Sequence, residues 1–202
     1  MGKQKTYSNF KYEDLEQLSL TLKFKSLFEN IDLVQPSEWL NQSFLLSVLA
    51  PLATEKAKSE LIVVPLLNEM KLKNPKTFNF FSGYNFDVDK ERGLKGHCDF
   101  LLSANYDSPV ITSPIFAIVE AKRDDFDLGI PQCVAEMYAA KIFNERNKNP
   151  QKVIYGAVTI GYSWLFLKLE ENIVFQDTKN YSTNNLPELL GVLQTIIDFY
   201  KK

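Results

Sequence analysis

Midway along this chain the apolar residues change their period, and that change limits the folds it can adopt. Pro36-Ser37-Glu38 opens a run with Leu40, Phe44, Leu45 and Val48 at helical spacing, and Pro51 ends it. A second helix is expected from about Ala53 to Lys73, with Ala57, Glu60, Val64 and Leu67 on one stripe and a kink or break at Pro65. Beyond it the pattern turns extended. Thr77–Phe86 is aromatic, and His97–Ala104 and Pro114–Arg123 are short apolar runs bounded by turn formers, which reads as strands. Asp87–Gly96 and Ser103–Ser113 read as connections. Gly129-Ile130-Pro131 is expected to start a helix, with Pro131 at its first position and Val134, Met137, Tyr138 and Ile142 on its apolar face. Lys152–Ile160 and Ser163–Leu169 read as strands joined at Gly161, Ile173–Phe175 as a third short one, and Leu186–Tyr200 as an amphipathic helix. Helices, three strands, a helix, two or three strands and a helix predict an α/β or α+β sheet with helices on its faces.

At 202 residues, with no repeat or low-complexity linker, the expectation is one domain with a core that needs no disulfide. Its helical N-terminal part would be about 1–73, its core about 55–175 and its C-terminal helix about 186–200. An aromatic fraction of 13% suits a thick, β-containing core. Cys98 and Cys133 sit in apolar runs and read as small core residues. The chain has no apolar run long enough for a membrane span, and residues 1–16 lack an apolar signal core, so a reduced cytoplasmic setting is expected. The net charge is -2, and no third of the chain is strongly basic. Any basic surface for nucleic acid must therefore be assembled by folding.

The chemistry concentrates in Phe116-Ala117-Ile118-Val119-Glu120-Ala121-Lys122-Arg123. Strand side chains alternate, so Glu120 and Lys122 share a face with Cα atoms roughly 7 Å apart. Charged residues at the end of an apolar strand are costly to bury unless paired or bound to a cation. Taken alone, the pair reads more simply as a salt-bridged strand end beside solvent. Asp99 shifts the balance. It lies in Gly96-His97-Cys98-Asp99-Phe100-Leu101-Leu102, and the connection to the next strand is short enough for a hairpin. Adjacent strands lie about 5 Å apart, so Asp99 and Glu120 could meet side by side. A divalent cation between two such carboxylates removes their repulsion, and oxygen ligands favour Mg²⁺ or Mn²⁺ over zinc. Lys122 would stand beside it.

Gly-x-x-Asp-Phe followed by an apolar strand ending Glu-Ala-Lys resembles the PD-(D/E)XK, restriction endonuclease-like nuclease superfamily. Cys98 stands where proline is usual before the aspartate. Tyr155-Gly156-Ala157-Val158-Thr159-Ile160-Gly161-Tyr162-Ser163-Trp164-Leu165-Phe166 resembles the "GvvTnGxxWxFxxL" hairpin of the N-terminal nuclease domain of type I restriction enzyme subunits, with Ile160 in place of the turn's asparagine or aspartate. The likeness spans roughly residues 55–175. It implies a central mixed β-sheet flanked by helices and a metal-dependent phosphodiester hydrolase acting on DNA with Mg²⁺ or Mn²⁺. Asp99 and Glu120 would be metal ligands and Lys122 the catalytic lysine. Glu60 would be the acidic residue on the preceding helix, supporting a second metal or the lysine. Gln132 would place the substrate at a helix N-terminus, a position that favours phosphate, with Glu136 a weaker candidate one turn on. Duplex cleavage would favour a homodimer, since one such site cuts one strand.

Two rival readings stand beside this. One is a catalytically inactive module of the same fold that binds nucleic acid or protein, which the near-neutral charge supports. The other is a structural ion-pair cluster in an unrelated α/β protein. His97 reads as structural, Asp124, Asp125 and Asp127 as a solvated loop, and Tyr162, Trp164 and Phe166 as hairpin packing. No G-x-x-x-x-G-K-[ST] loop or G-x-S-x-G elbow occurs, and the single histidine excludes two-histidine zinc motifs.

Overall fold

Seven strands form one mixed sheet in the order β1-β7-β6-β5-β4-β3-β2, with helices on both faces. The computed structural model describes residues 5–201; residues 1–4, part of the stretch read above for a signal core, lie outside the described residues. The strands are β1 Thr21–Lys25, β2 Asn79–Asn85, β3 His97–Ser103, β4 Ile115–Ala121, β5 Val153–Thr159, β6 Ser163–Glu170 and β7 Ile173–Ser182. The helices are α1 Tyr12–Gln17, α2 Glu38–Leu49, α3 Glu55–Lys58, α4 Val64–Lys73, α5 Phe126–Arg146 and α6 Leu186–Phe199.

The alternation of side chains along each strand builds two cores. Ile118, Val158 and Leu167 point to the face covered by α5 and α1, with Val134, Met137 and Leu15. Val119, Ala157 and Phe166 point to the face covered by α4 and α6, with Leu67, Met70, Leu190 and Ile197. β3 and β4 run antiparallel, whereas β4 and β5 are parallel and joined by α5. That crossover brings the C-terminal end of β4 against the first turns of α5.

Four expectations need correction. The first part of the chain is not purely helical: β1 pairs in parallel with β7 from Thr21↔Ile173 to Lys25↔Asp177. Leu20, Leu22 and Phe24 alternate with Thr21, Lys23 and Lys25, a period of two. β7 runs to Ser182 rather than stopping near Phe175. Its polar stretch stays extended because Asp177 is buried and accepts from the Tyr181 hydroxyl (3.2 Å) and the Leu27 amide (3.4 Å). The break expected at Pro65 lies ahead of it, as a π turn over Ser59–Val63 joining α3 to α4, so that Pro65 falls in the first turn of α4. Pro65 has no amide to donate, so the first turn of α4 accommodates it. Finally, α5 starts at Phe126, not at Pro131. Asp125 caps it, accepting from the Asp127 amide at 2.8 Å, and Pro131 lies inside the helix.

Candidate active site

The paired register of β3 on β4 ends at Phe100 and Val119, and Asp99 and Glu120 are the next residue of each strand. The two carboxylates therefore sit on adjacent strands at the end of the sheet beside α5. Asp99 Oδ2 accepts from the Ala121 amide at 2.8 Å, which ties its side chain across to β4. Lys122 follows the strand, and its amide still bonds the Thr159 carbonyl at 2.7 Å. Its ammonium turns back to donate to Glu120 Oε1 at 2.6 Å and to Gln132 Oε1 at 2.9 Å. Gln132 in turn donates to Glu136 Oε1 at 3.0 Å. Spaced at i and i+4, these two α5 residues share one helix face.

Gly129 makes this approach possible. A Cβ there would stand 2.9 Å from Lys122 Cγ and closer still to Val158 Cγ1. The absence of a side chain lets α5 lie against the end of β4 and β5, with the stem of Lys122 resting over its first turns.

Burial sets the electrostatics. Glu120 is 1% exposed, and its proton affinity is pushed up to about 8, first by burial and then by the charge of Asp99, with Lys122 pulling the other way. Asp99 is raised by burial as well, while the Ala121 amide and Lys122 lower it and Glu55 raises it. Burial would depress Lys122, but Glu120, Glu55 and Asp99 outweigh it and raise the lysine. Glu136, fully buried, is raised by burial and then by Glu120. Glu120 Oε2 and Glu136 Oε2 are the buried side-chain oxygens without a hydrogen-bond partner among the described residues. A buried carboxylate oxygen with no donor is costly unless it holds a proton or a cation.

Of the residues singled out from sequence, Asp99, Glu120, Lys122 and Gln132 are brought together, and Glu60 is not among them. Glu60 lines a cleft of about 490 Å³ with Asp99, Ser59 and Ser82. Its carboxylate is exposed and lies 3.7 Å from the Lys56 ammonium. Val64 lines the same cleft, so Glu60 keeps that side of the helix but stands at its solvent edge rather than among the buried charges. Glu55, which the sequence reading passed over, is the helix carboxylate whose charge acts on Asp99, Glu120 and Lys122 together. It accepts from the Arg123 amide at 3.3 Å and lines the second cleft, of about 660 Å³, with Lys122 and Arg123. Thr54, which accepts from the Ala57 amide at 3.1 Å, marks Glu55 as the first residue of α3; nothing local aims it at β4.

Gln132 also sits differently than expected. It is buried within α5 rather than at the helix N-terminus, so a phosphate cradle there is replaced by a link to Lys122. His97 is exposed at the start of β3. Asp125 serves as the α5 cap, and Asp124 pairs with Lys58 at 3.2 Å. Trp164 and Phe166 are core residues, while Tyr162 is exposed.

Among the described residues no group of three or more His, Cys, Asp or Glu side chains forms a ready-made metal cage. The donor set is therefore two carboxylates, Asp99 and Glu120, plus solvent. It suits a hard divalent cation, because the orphaned Glu120 Oε2 and the charge of Asp99 pressing on Glu120 are the features such an ion would relieve. Among the described residues no helix is long and apolar enough to cross a membrane. No protein-family model matches the chain, and no curated protein matches it in sequence.

Proposed function

We propose that this chain is a metal-dependent phosphodiester hydrolase of the restriction endonuclease-like kind, acting on DNA. One observation carries the reading: Asp99 and Glu120 lie on the adjacent strands β3 and β4, each one residue beyond the last paired position, with the Asp99 carboxylate bonded to the Ala121 amide, the Lys122 ammonium 2.6 Å from Glu120 and an unpartnered, buried Glu120 oxygen. Asp99 and Glu120 would hold Mg²⁺ or Mn²⁺. When bound, the ion supplies Lewis acidity and a nucleophilic water at neutral pH. Lys122 holds its proton at Nζ and offers positive charge to the phosphate oxygens as negative charge builds on them. Gln132 orients that ammonium, and Glu55 lies between the two clefts that flank the site, where it would meet the strand or its water.

The test is cleavage of plasmid, linear duplex and single-stranded DNA with Mg²⁺ or Mn²⁺. Lys122→Met should cut about 10²- to 10⁴-fold more slowly than the wild type, the usual worth of a group that moves or stabilises charge in the transition state. Equal rates for the two proteins on every substrate would refute the reading.

A binding module without catalysis is favoured by a different observation: the Lys122 ammonium is already engaged by both Glu120 and Gln132. Calorimetric titration with Mn²⁺ separates the two readings, since a folded wild type that takes up no ion supports the silent module.

A further inference from the structure

Glu136 takes no direct part in the chemistry proposed above, yet it is a wholly buried carboxyl group one helical turn from Gln132. Its surroundings on the α5 face of the sheet include Tyr7, Cys98 and Cys133, all of which feel its charge, with Glu120, Asp99 and Lys122 beyond Gln132. Burying a carboxyl group in such company is expensive, and the bond from Gln132 is the one side-chain hydrogen bond it makes among the described residues.

A glutamine amide has one accepting end and one donating end. Here the accepting end, Oε1, meets the Lys122 ammonium at 2.9 Å, so the donating end, Nε2, must face an acceptor. Glu136 Oε1 provides it at 3.0 Å. Were the amide to turn over, its NH₂ would face the Lys122 ammonium, a repulsive contact, and Glu136 would lose the donor it now accepts from. Resting on the functional reading above, we propose that Glu136 is a positioning residue: it fixes the orientation of the Gln132 amide and so the direction in which Lys122 presents its ammonium beside Glu120.

Two substitutions separate positioning from bulk. Glu136→Gln keeps an accepting oxygen, and Glu136→Met keeps the volume without one. The kinetic measurement is plasmid cleavage with Mg²⁺, alongside thermal melts to establish folding. Glu136→Met should lose about 10- to 100-fold in kcat with KM nearly unchanged, as for other outer partners of a site, and Glu136→Gln should stay within about 3-fold of the wild type. The second measurement needs no activity. In lysine ¹³Cε spectra the Lys122 signal, identified by its loss in Lys122→Met, should shift in Glu136→Met and hold its place in Glu136→Gln. Wild-type cleavage by Glu136→Met, or an equal fall in both variants, would overturn the proposal. If the wild type cuts no DNA, the functional reading fails by itself. The spectra then decide the positioning: a Lys122 signal at one place in all three proteins rules it out.

Discussion

Two glutamates on one short helical stretch illustrate what position does to a side chain. Glu60 was expected at the site because it extends the stripe of Val64 and Leu67. Its carboxylate lines a cleft with Asp99 beside Lys56, and of these two exposed glutamates Glu55 is the one whose charge acts on Asp99, Glu120 and Lys122. The account therefore predicts that Glu55→Gln lowers the cleavage rate by about 10-fold or more, the scale of a partner just outside the reacting groups, while Glu60→Gln stays within about 3-fold. Steady-state rates on plasmid DNA check the order. Asp99, Glu120 and Lys122 were legible because the alternation of a strand is rigid: two residues apart means one face. Glu60 does line one cleft with Val64 and Asp99, but a helical stripe gives the side of a helix and not the depth of burial, and its carboxylate stays exposed. The Gln132–Glu136 link spans one helical turn and could be read as a shared face, but not as the buried chain that ends on Lys122.

At the scale of elements, α5 decides how the site closes. It begins at Phe126 because Asp125 caps it, so an aspartate read as part of a solvated loop is the helix's starting signal. Asp125→Ala should cost about 1 kcal/mol of stability, measured as a lower midpoint in urea with an unchanged slope. Gly129 carries a sharper consequence. Gly129→Ala drives a methyl group into Val158 and the stem of Lys122, and overpacking of this kind costs about 1–3 kcal/mol. Its cleavage rate should fall further than that of Asp125→Ala compared at equal folded fraction, because only the first change displaces Lys122. Most strands were legible from their apolar runs, β3 to β6 within a residue or two. The second half of β7 was not, since it is held by pairing with β6 more than by its own composition, whereas the period of two in β1 was present in the sequence and was passed over.

For the whole molecule, the concentration of buried acid at one end of the sheet ties stability to pH. Glu120 binds its proton more tightly folded than unfolded, from an ordinary value of 4.5 up to about 8. The native state then holds more protons than the unfolded chain across that window, so stability falls as pH rises through it. Asp99 and Glu136 are raised as well and act in the same direction. In the presence of a chelator, the melting temperature should drop between about pH 5 and pH 8, and Glu120→Gln should flatten the curve; a wild-type protein that grows more stable over that interval would contradict the assignment. That a mixed α/β sheet with flanking helices would form was legible from the change of period, whereas the meeting of residues from β3, β4 and α5 depends on a register and a crossover that no local pattern encodes. The most direct measurement is therefore the anomalous map of a crystal soaked in Mn²⁺. The account predicts an ion between the Asp99 and Glu120 carboxylates, with Lys122 beside it. A map with no ion there, and Asp99 turned away from Glu120, would contradict it.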